Sequence, residues 1–338
     1  MRAHRKAAAG CALLIALATA GCAGQDGTTE AARAAPSGSS APGTAYAPYV
    51  SATTASANDT AGDPTTYNLA FVLSSGDDCV PRWNGVQDID DASATARAEK
   101  LTESGATVRV SFGGASGTEL AAACDDASDL ARAYGEALDA AGATRADFDI
   151  EGDELTDAGS IALRSRAIAL LQEERSDLEV SFTLPVMPSG LDSDSLALLA
   201  SANDQGVRVG AVNLMTMNYG ESYTGDMGDY ALASARAAHA QLREVFGTSD
   251  ADAWRGMALT SMLGVNDVAG ETFTLADAAE VRAFAAEKGI AWVSVWASFR
   301  DQPCADGTGT DGTGTGDAAT DCSGVAQEAG AFGAVFGG

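Results

Sequence analysis

The chain has 338 residues, enough to bury a full core, and 46% hydrophobic with 20% charged residues is a globular composition. A formal net charge of -27 argues against nucleic acid or an anionic membrane surface as partner, because the long-range field repels both. A neutral or cationic ligand is compatible with that charge, and so is a purely solubilising role.

Residues 1–22 read as a targeting segment. Arg2, Arg5 and Lys6 form a basic start, and Ala7 to Ala20 is an apolar stretch too short to span a bilayer as a normal helix. Thr19-Ala20-Gly21-Cys22 is similar to a lipobox, so the expectation is lipid attachment at Cys22 and anchoring to the outer face of a bacterial membrane. Free secretion after ordinary cleavage is the alternative, since Thr19 is not the usual leucine. Residues 23–45 are rich in Gly, Ala, Ser, Thr and Pro and read as a flexible linker.

From Tyr46 to residue 338 the chain reads as one folded domain in which strand-like and helix-like stretches alternate. Expected strands are Tyr46 to Ser51, Tyr67 to Leu73, Thr107 to Phe112, Ala146 to Glu151, Leu178 to Leu184, Ala211 to Met217, Gly256 to Met262 and Ile290 to Trp296. Helices are expected at Asp91 to Glu103, Ala127 to Ala141, Asp157 to Glu174, Asp194 to Asn203, Tyr230 to Phe246 and Leu275 to Lys288. Eight strands with intervening helices indicate an α/β fold with a parallel sheet, and eight is the strand number of a closed (β/α)8 TIM barrel. The other possibility, an open doubly wound sheet, lacks its usual nucleotide loop, because no GxGxxG or Walker-type sequence follows any strand.

Cys79, Cys124, Cys304 and Cys322 remain after the leader cysteines, an even number that suggests two disulfides with three possible connectivities. The pairing nearest in sequence, Cys304 with Cys322, would close the Gly/Thr-rich stretch 307–321 and contribute about 3 kcal/mol through chain entropy. It would leave Cys79 for Cys124. No metal site is expected, since no CxxC spacing occurs and His239 is the only histidine beyond the leader. His239 lies in ARAAHAQLREVF and reads as a solvated helical histidine, so histidine-based nucleophilic catalysis is not expected and the chemistry falls to carboxylates.

The stretch Ala146 to Leu155, ADFDIEGDEL, supplies them. Asp147, Asp149 and Glu151 alternate with Phe148 and Ile150, so a strand sends three carboxylates from one face and two apolar side chains from the other. Carboxylates about 6 to 7 Å apart titrate together, and crowding keeps a proton on one of them near neutral pH, as general acid catalysis requires. Calcium binding by the row is disfavoured for want of further oxygen ligands. Arg109 shares a face with Ser111 and is a candidate partner for Asp147. The third strand ends in SFGG, with Ser111, Gly113 and Gly114 at its exit. The sixth ends in MTMNYG, with Met217, Asn218 and Tyr219, and the eighth in WVSVWASFRD, with Trp296. An indole, an amide and a phenol at strand exits suit a sugar ring.

These four stretches together resemble family 18 glycoside hydrolases, the chitinases and related endo-β-N-acetylglucosaminidases. SFGG looks like the family's SxGG, DFDIE like DxxDxDxE, MTMNYG like the strand-six motif, and Trp296 like the strand-eight tryptophan; the likeness covers about residues 45–338. It implies substrate-assisted retaining hydrolysis of β-1,4-linked N-acetylglucosamine in chitin or chitooligosaccharide by a monomer without cofactor. Glu151 would be general acid and base, Asp149 would orient the acetamido group, and Asp147 would share a proton with Asp149. Trp296 would floor the subsite and Ser111 would support the carboxylate row. Tyr49 and Trp83 fall where chitinases line a groove, whereas Trp254 and Trp292 read as structural. Leu263 to Gly289 leaves no room for the α+β module of deep-cleft members, which implies a shallow groove and endo-type cutting. Two departures stand out: Thr144 replaces the first Asp of DxxDxDxE, and Asn218 the usual strand-six Asp, with Tyr219 a candidate for the missing hydroxyl. The alternatives are an endo-β-N-acetylglucosaminidase acting on N-glycans and a non-catalytic chitin- or glycan-binding barrel.

Overall fold

Register and side-chain alternation in the third, fourth and fifth strands set both the core and the site. Thr107–Gly113, Arg145–Asp149 and Glu179–Pro185 run parallel, with Phe112 opposite Phe148 and Phe148 opposite Phe182. These rings face outward, and Tyr134 of the helix Ala127–Ala140 packs its ring 5.0 Å from Phe148. With a side-chain period of two, the intervening residues must face the opposite side. Ser111, Asp147 and Ser181 form one inward row, and Gly113, Asp149 and Thr183 the next.

The computed structural model describes residues 43–305, 318 and 320–338. The expected targeting segment with Cys22, the linker up to residue 42, and most of the stretch 307–321 lie outside the described residues. The remaining strands are Thr66–Ser75, Val209–Met215, Met257–Met262 and Trp292–Trp296. The first strand comes in two pieces and closes the barrel. Ala45–Tyr46 pairs with the eighth strand and Tyr49–Ser51 with the second, both in parallel. Thus the (β/α)8 barrel expected from the strand count is the fold adopted, and strand pairing starts one residue earlier than expected, at Ala45.

The outer helices begin where the side chains can satisfy free backbone N–H groups. Asp91, Asp126, Asp157, Asp192 and Asp226 each cap a helix by accepting from backbone N–H groups one to two residues into it, and Thr274 with Asp277 makes a capping box. Part of the acidic excess is therefore structural.

Two features were not legible beforehand. The second strand carries an antiparallel hairpin, Asp78–Trp83 with Gln87–Asp88, where only a connection was expected. The disulfides are the pairing named from the sequence, Cys304 with Cys322 and Cys79 with Cys124, the latter tying that hairpin to the loop after the third strand. His239, expected in solvent, is buried: its ring stacks 3.9 Å from Trp254 and Nε2 lies 3.0 Å from the Asp250 carbonyl oxygen. An aromatic neighbour on the following helix provides a cover that a single-helix pattern does not reveal. Between the seventh and eighth strands there is only a short ladder, Gly264–Val265 with Thr272–Phe273, and the helix Leu275–Lys288, with no inserted module.

Candidate active site

The inward rows end in a small bowl of about 80 Å³ at the C-terminal ends of the strands, lined by Asp149, Glu151, Trp296 and neighbours. A wider recess of about 720 Å³ lies at the opposite mouth around Arg109, Arg145 and Trp292 and contains none of the carboxylate row. Arg109 stacks 4.0 Å over Trp292 there and donates to Asn68 at 2.7 Å rather than to a carboxylate. Trp292 and Trp254 both lie away from the bowl, Trp292 against Arg109 and Trp254 against His239.

Asp147 is the deepest member of the row, 1% exposed. Hydroxyls surround it: Tyr49 donates to Oδ2 at 2.9 Å and Ser111 at 2.8 Å, while Ser181 donates to Oδ1 at 2.7 Å and Thr183 at 2.9 Å. Both oxygens are engaged and no hydrogen bond runs to Asp149. The proton expected to be shared between the two acids has no such bond to move along in this arrangement.

Asp149 is 5% exposed, and its Oδ1 is buried without a hydrogen-bond partner. Burial holds its carboxyl well above the usual range, with the charges of Glu151 and Asp147 adding to the effect. An unpaired buried acceptor is costly, and a ligand N–H is one way to satisfy it. Glu151 is half-buried at the entry to the short helix Gly152–Thr156, on backbone still extended at φ -132 and ψ 166. Burial first, then the charges of Asp267 and Glu154, push its carboxyl up to about 7.

The glycines at the third-strand exit are required by close approach. Gly113 has φ 97, and a Cβ there would lie 2.1 Å from the carbonyl oxygen of Asp149; a Cβ on Gly114 would meet the Phe71 ring at 2.9 Å. The Gly114 N–H also donates to that carbonyl at 2.8 Å, which locks the third-strand loop to the carboxylate strand. Below this loop Glu119 is buried with Arg164 at 2.7 Å and accepts from the Tyr134 hydroxyl at 2.6 Å.

An aromatic floor completes the bowl. The rings of Trp296 and Phe71 stack at 5.4 Å, and Tyr49 meets Trp296 edge-on at 5.8 Å. Of the residues singled out from the sequence, Asp149, Glu151, Tyr49, Met217, Asn218 and Trp296 line the bowl, while Asp147, Ser111 and Gly113 stand directly behind it. Trp83 does not: it is 2% exposed, packed in the core, and its indole N–H donates to the Ile89 carbonyl. The hairpin turns it inward. Tyr219 is likewise buried against Tyr223 and Tyr230, so it does not supply a hydroxyl to the bowl.

Phe71, Ala115, Thr183, Met215, Thr260 and Asp267 line the bowl and were not singled out. Thr183 was recoverable from register, because it sits opposite Asp149 on the next strand. Phe71, inside the second strand, and Asp267, in the loop after the seventh, are not marked by any local period. Among the described residues no cluster of His, Cys, Asp and Glu is arranged to hold a metal ion.

No family model matches the chain. Its fold and sequence are similar to crystal structures of catalytic-site mutants of active domain 2 of a chitinase from Pyrococcus furiosus, with a TM-score of 0.76, 30% identity, and coverage of 87% of this chain and 94% of that one. It is 34% identical over 277 residues to the "Probable bifunctional chitinase/lysozyme" of Escherichia coli (strain K12), covering 76% of this chain and 31% of that protein. Endochitinase 11 of Metarhizium anisopliae is 32% identical over 278 residues, covering 77% and 53%. The chain thus spans less than two thirds of the length of either curated relative.

Proposed function

The chain belongs to family 18 of the glycoside hydrolases, the family of the chitinases, and on that premise we propose that it cleaves β-1,4 bonds between N-acetylglucosamine units of chitin or its oligomers. One observation carries the reading. At the barrel mouth, a half-buried Glu151 pushed up to about 7 stands beside a buried Asp149 with an unsatisfied oxygen, over an aromatic floor.

In the proposed reaction the sugar of the -1 subsite rests on Trp296. Its acetamido N–H donates to Asp149, which turns the acetamido carbonyl oxygen toward the anomeric carbon. Glu151 gives its proton to the glycosidic oxygen as the C–O bond breaks, and the acetamido oxygen forms the new bond to C1, producing an oxazolinium ion. Glu151, now a carboxylate, takes a proton from water as that water opens the ring, so configuration is retained and the acid is regenerated. Asp147, fixed by its hydroxyl partners, sets the depth and orientation of the row. The short seventh-to-eighth connection supports a shallow groove and endo-type cutting.

Turnover of a fluorogenic chitotrioside, with Glu151→Gln as control and NMR of the initial product anomer, tests the proposal. β-anomer product, lost in the variant, is expected. Oligomer binding without turnover by the wild-type chain would instead leave a glycan-binding barrel, and release of N-glycans without attack on chitooligosaccharides would shift the substrate class. Export and lipid attachment at Cys22 belong to the same proposal, supported by the basic, apolar and Cys pattern of residues 1–22. Incorporation of labelled fatty acid that persists in Cys22→Ala would refute the attachment.

A further inference from the structure

The loops after the sixth and seventh strands are bonded into one unit. Buried Glu271 accepts the Gly220 N–H at 2.8 Å, and the backbone N–H of Asn266 donates to the Glu271 carbonyl at 3.1 Å. The Asn266 side chain, also buried, donates to the carbonyls of Met262 and Gly264 at 2.9 and 3.0 Å. This unit carries two exposed polar residues to the bowl, Asn218 and Asp267. Asn218 has φ 54, a left-handed conformation that Asn tolerates better than most residues and that a loop retains only when its surroundings hold it. Its Nδ2 donates to Asp267 Oδ2 at 3.3 Å.

We propose that Asp267 is a positioning residue for the hydrolysis, holding Asn218 in place and fixing the electrostatic surroundings of Glu151 from across the barrel mouth. The inference rests on the reaction proposed above. Asp149, which ends the preceding strand, and Asp267, from the seventh-strand loop, line the bowl with Glu151, and the charge of Glu154 on the helix that follows also acts on it. No Lys, Arg or His among the described residues lines the bowl to offset them. After burial, Asp267 is the largest influence keeping the proton on Glu151. Its negative charge also favours the cationic oxazolinium state that follows proton transfer. The same side chain therefore favours both the loaded acid and the charge that develops once the proton has left.

The test compares wild type, Asp267→Asn, Asp267→Glu and Glu151→Gln by two readouts. One is the pH profile of kcat/KM on a fluorogenic chitotrioside. The other is ¹³C NMR titration of the Glu151 carboxyl, identified by its loss in Glu151→Gln, which needs no substrate. In Asp267→Asn the alkaline limb and the Glu151 midpoint should both move down by about half to one pH unit. kcat should fall several-fold while KM changes less than about twofold. Asp267→Glu should restore the profile, and the unfolding temperature of Asp267→Asn should match wild type at about pH 4, where Glu151 is largely protonated in the folded and the unfolded chain alike. A Glu151 midpoint in Asp267→Asn within about 0.2 unit of wild type overturns the proposal, whatever happens to the rate. A wild-type chain without turnover sinks the proposed reaction instead, while the titration still decides whether Asp267 acts on Glu151.

Discussion

Replacing Glu151 by Gln should stabilise the fold while ending turnover. The Glu151 carboxyl is moved from an ordinary 4.5 to about 7, first by burial and then by Asp267 and Glu154. Between those values the folded chain keeps a proton that the unfolded chain has released, so this group lowers stability as pH rises through the window, and the loss is complete above it. The span corresponds to at most about 3 kcal/mol, reduced somewhat by the side chain's partial access to water. Glutamine has the same shape and no charge. Glu151→Gln should therefore match wild type at about pH 4 and exceed it by roughly 1 to 3 kcal/mol at about pH 8.5, a rise of roughly 2 to 5 °C in the unfolding midpoint for a chain of this size. Chitotrioside hydrolysis should fall by at least about 100-fold. Thermal unfolding of both proteins across that pH range is the assay. A stability difference that does not change with pH would refute the reasoning, because it would mean that Glu151 titrates alike in the folded and unfolded chain.

Replacing Cys79 and Cys124 together by Ser should cost about 4 kcal/mol, from the chain entropy of a loop with a sequence separation of 45. Guanidinium unfolding would measure it, and a loss under about 1 kcal/mol would mean that the hairpin ladder alone holds this edge. Glu119→Ala leaves Arg164 buried without its carboxylate and should destabilise by about 3 to 5 kcal/mol in the same assay, with a neutral result refuting the paired arrangement. Gly113→Ala places a Cβ 2.1 Å from the Asp149 carbonyl oxygen on backbone at φ 97. The carboxylate strand must then shift, and any folded protein should lose on the order of 100-fold in turnover, read as kcat on chitotrioside. Unchanged kcat would show that the third-strand loop yields without disturbing the row.

Much of the site was legible because it depends on local periods. Alternation in DFDIE placed Asp147, Asp149 and Glu151 on one face and Phe148 on the other, and no distant contact can reverse that without moving the whole strand by one residue. The caps Asp91, Asp126, Asp157, Asp192 and Asp226 are local too, each standing directly before the helix it serves. Trp83 and Phe71 show where this reasoning ends. Both lie near the second-strand exit, yet the hairpin buries Trp83 and leaves Phe71 against Trp296. Only the fold of that hairpin, tied by Cys79 to Cys124, separates them.

The sequence by itself determined the barrel, the inward carboxylate row and Glu151 as its outermost acid, since strand count, period and turn residues are encoded within a few neighbouring positions. Tertiary structure decided what those acids meet. Tyr49 reaches Asp147 across 98 positions, and Asn218 reaches Asp267 across 49. Such contacts are set by barrel closure and by the stagger of strands distant in the chain. Hence the hydroxyl cage around Asp147, the unsatisfied oxygen of Asp149 and the charge facing Glu151 became visible only once the ring of strands was closed.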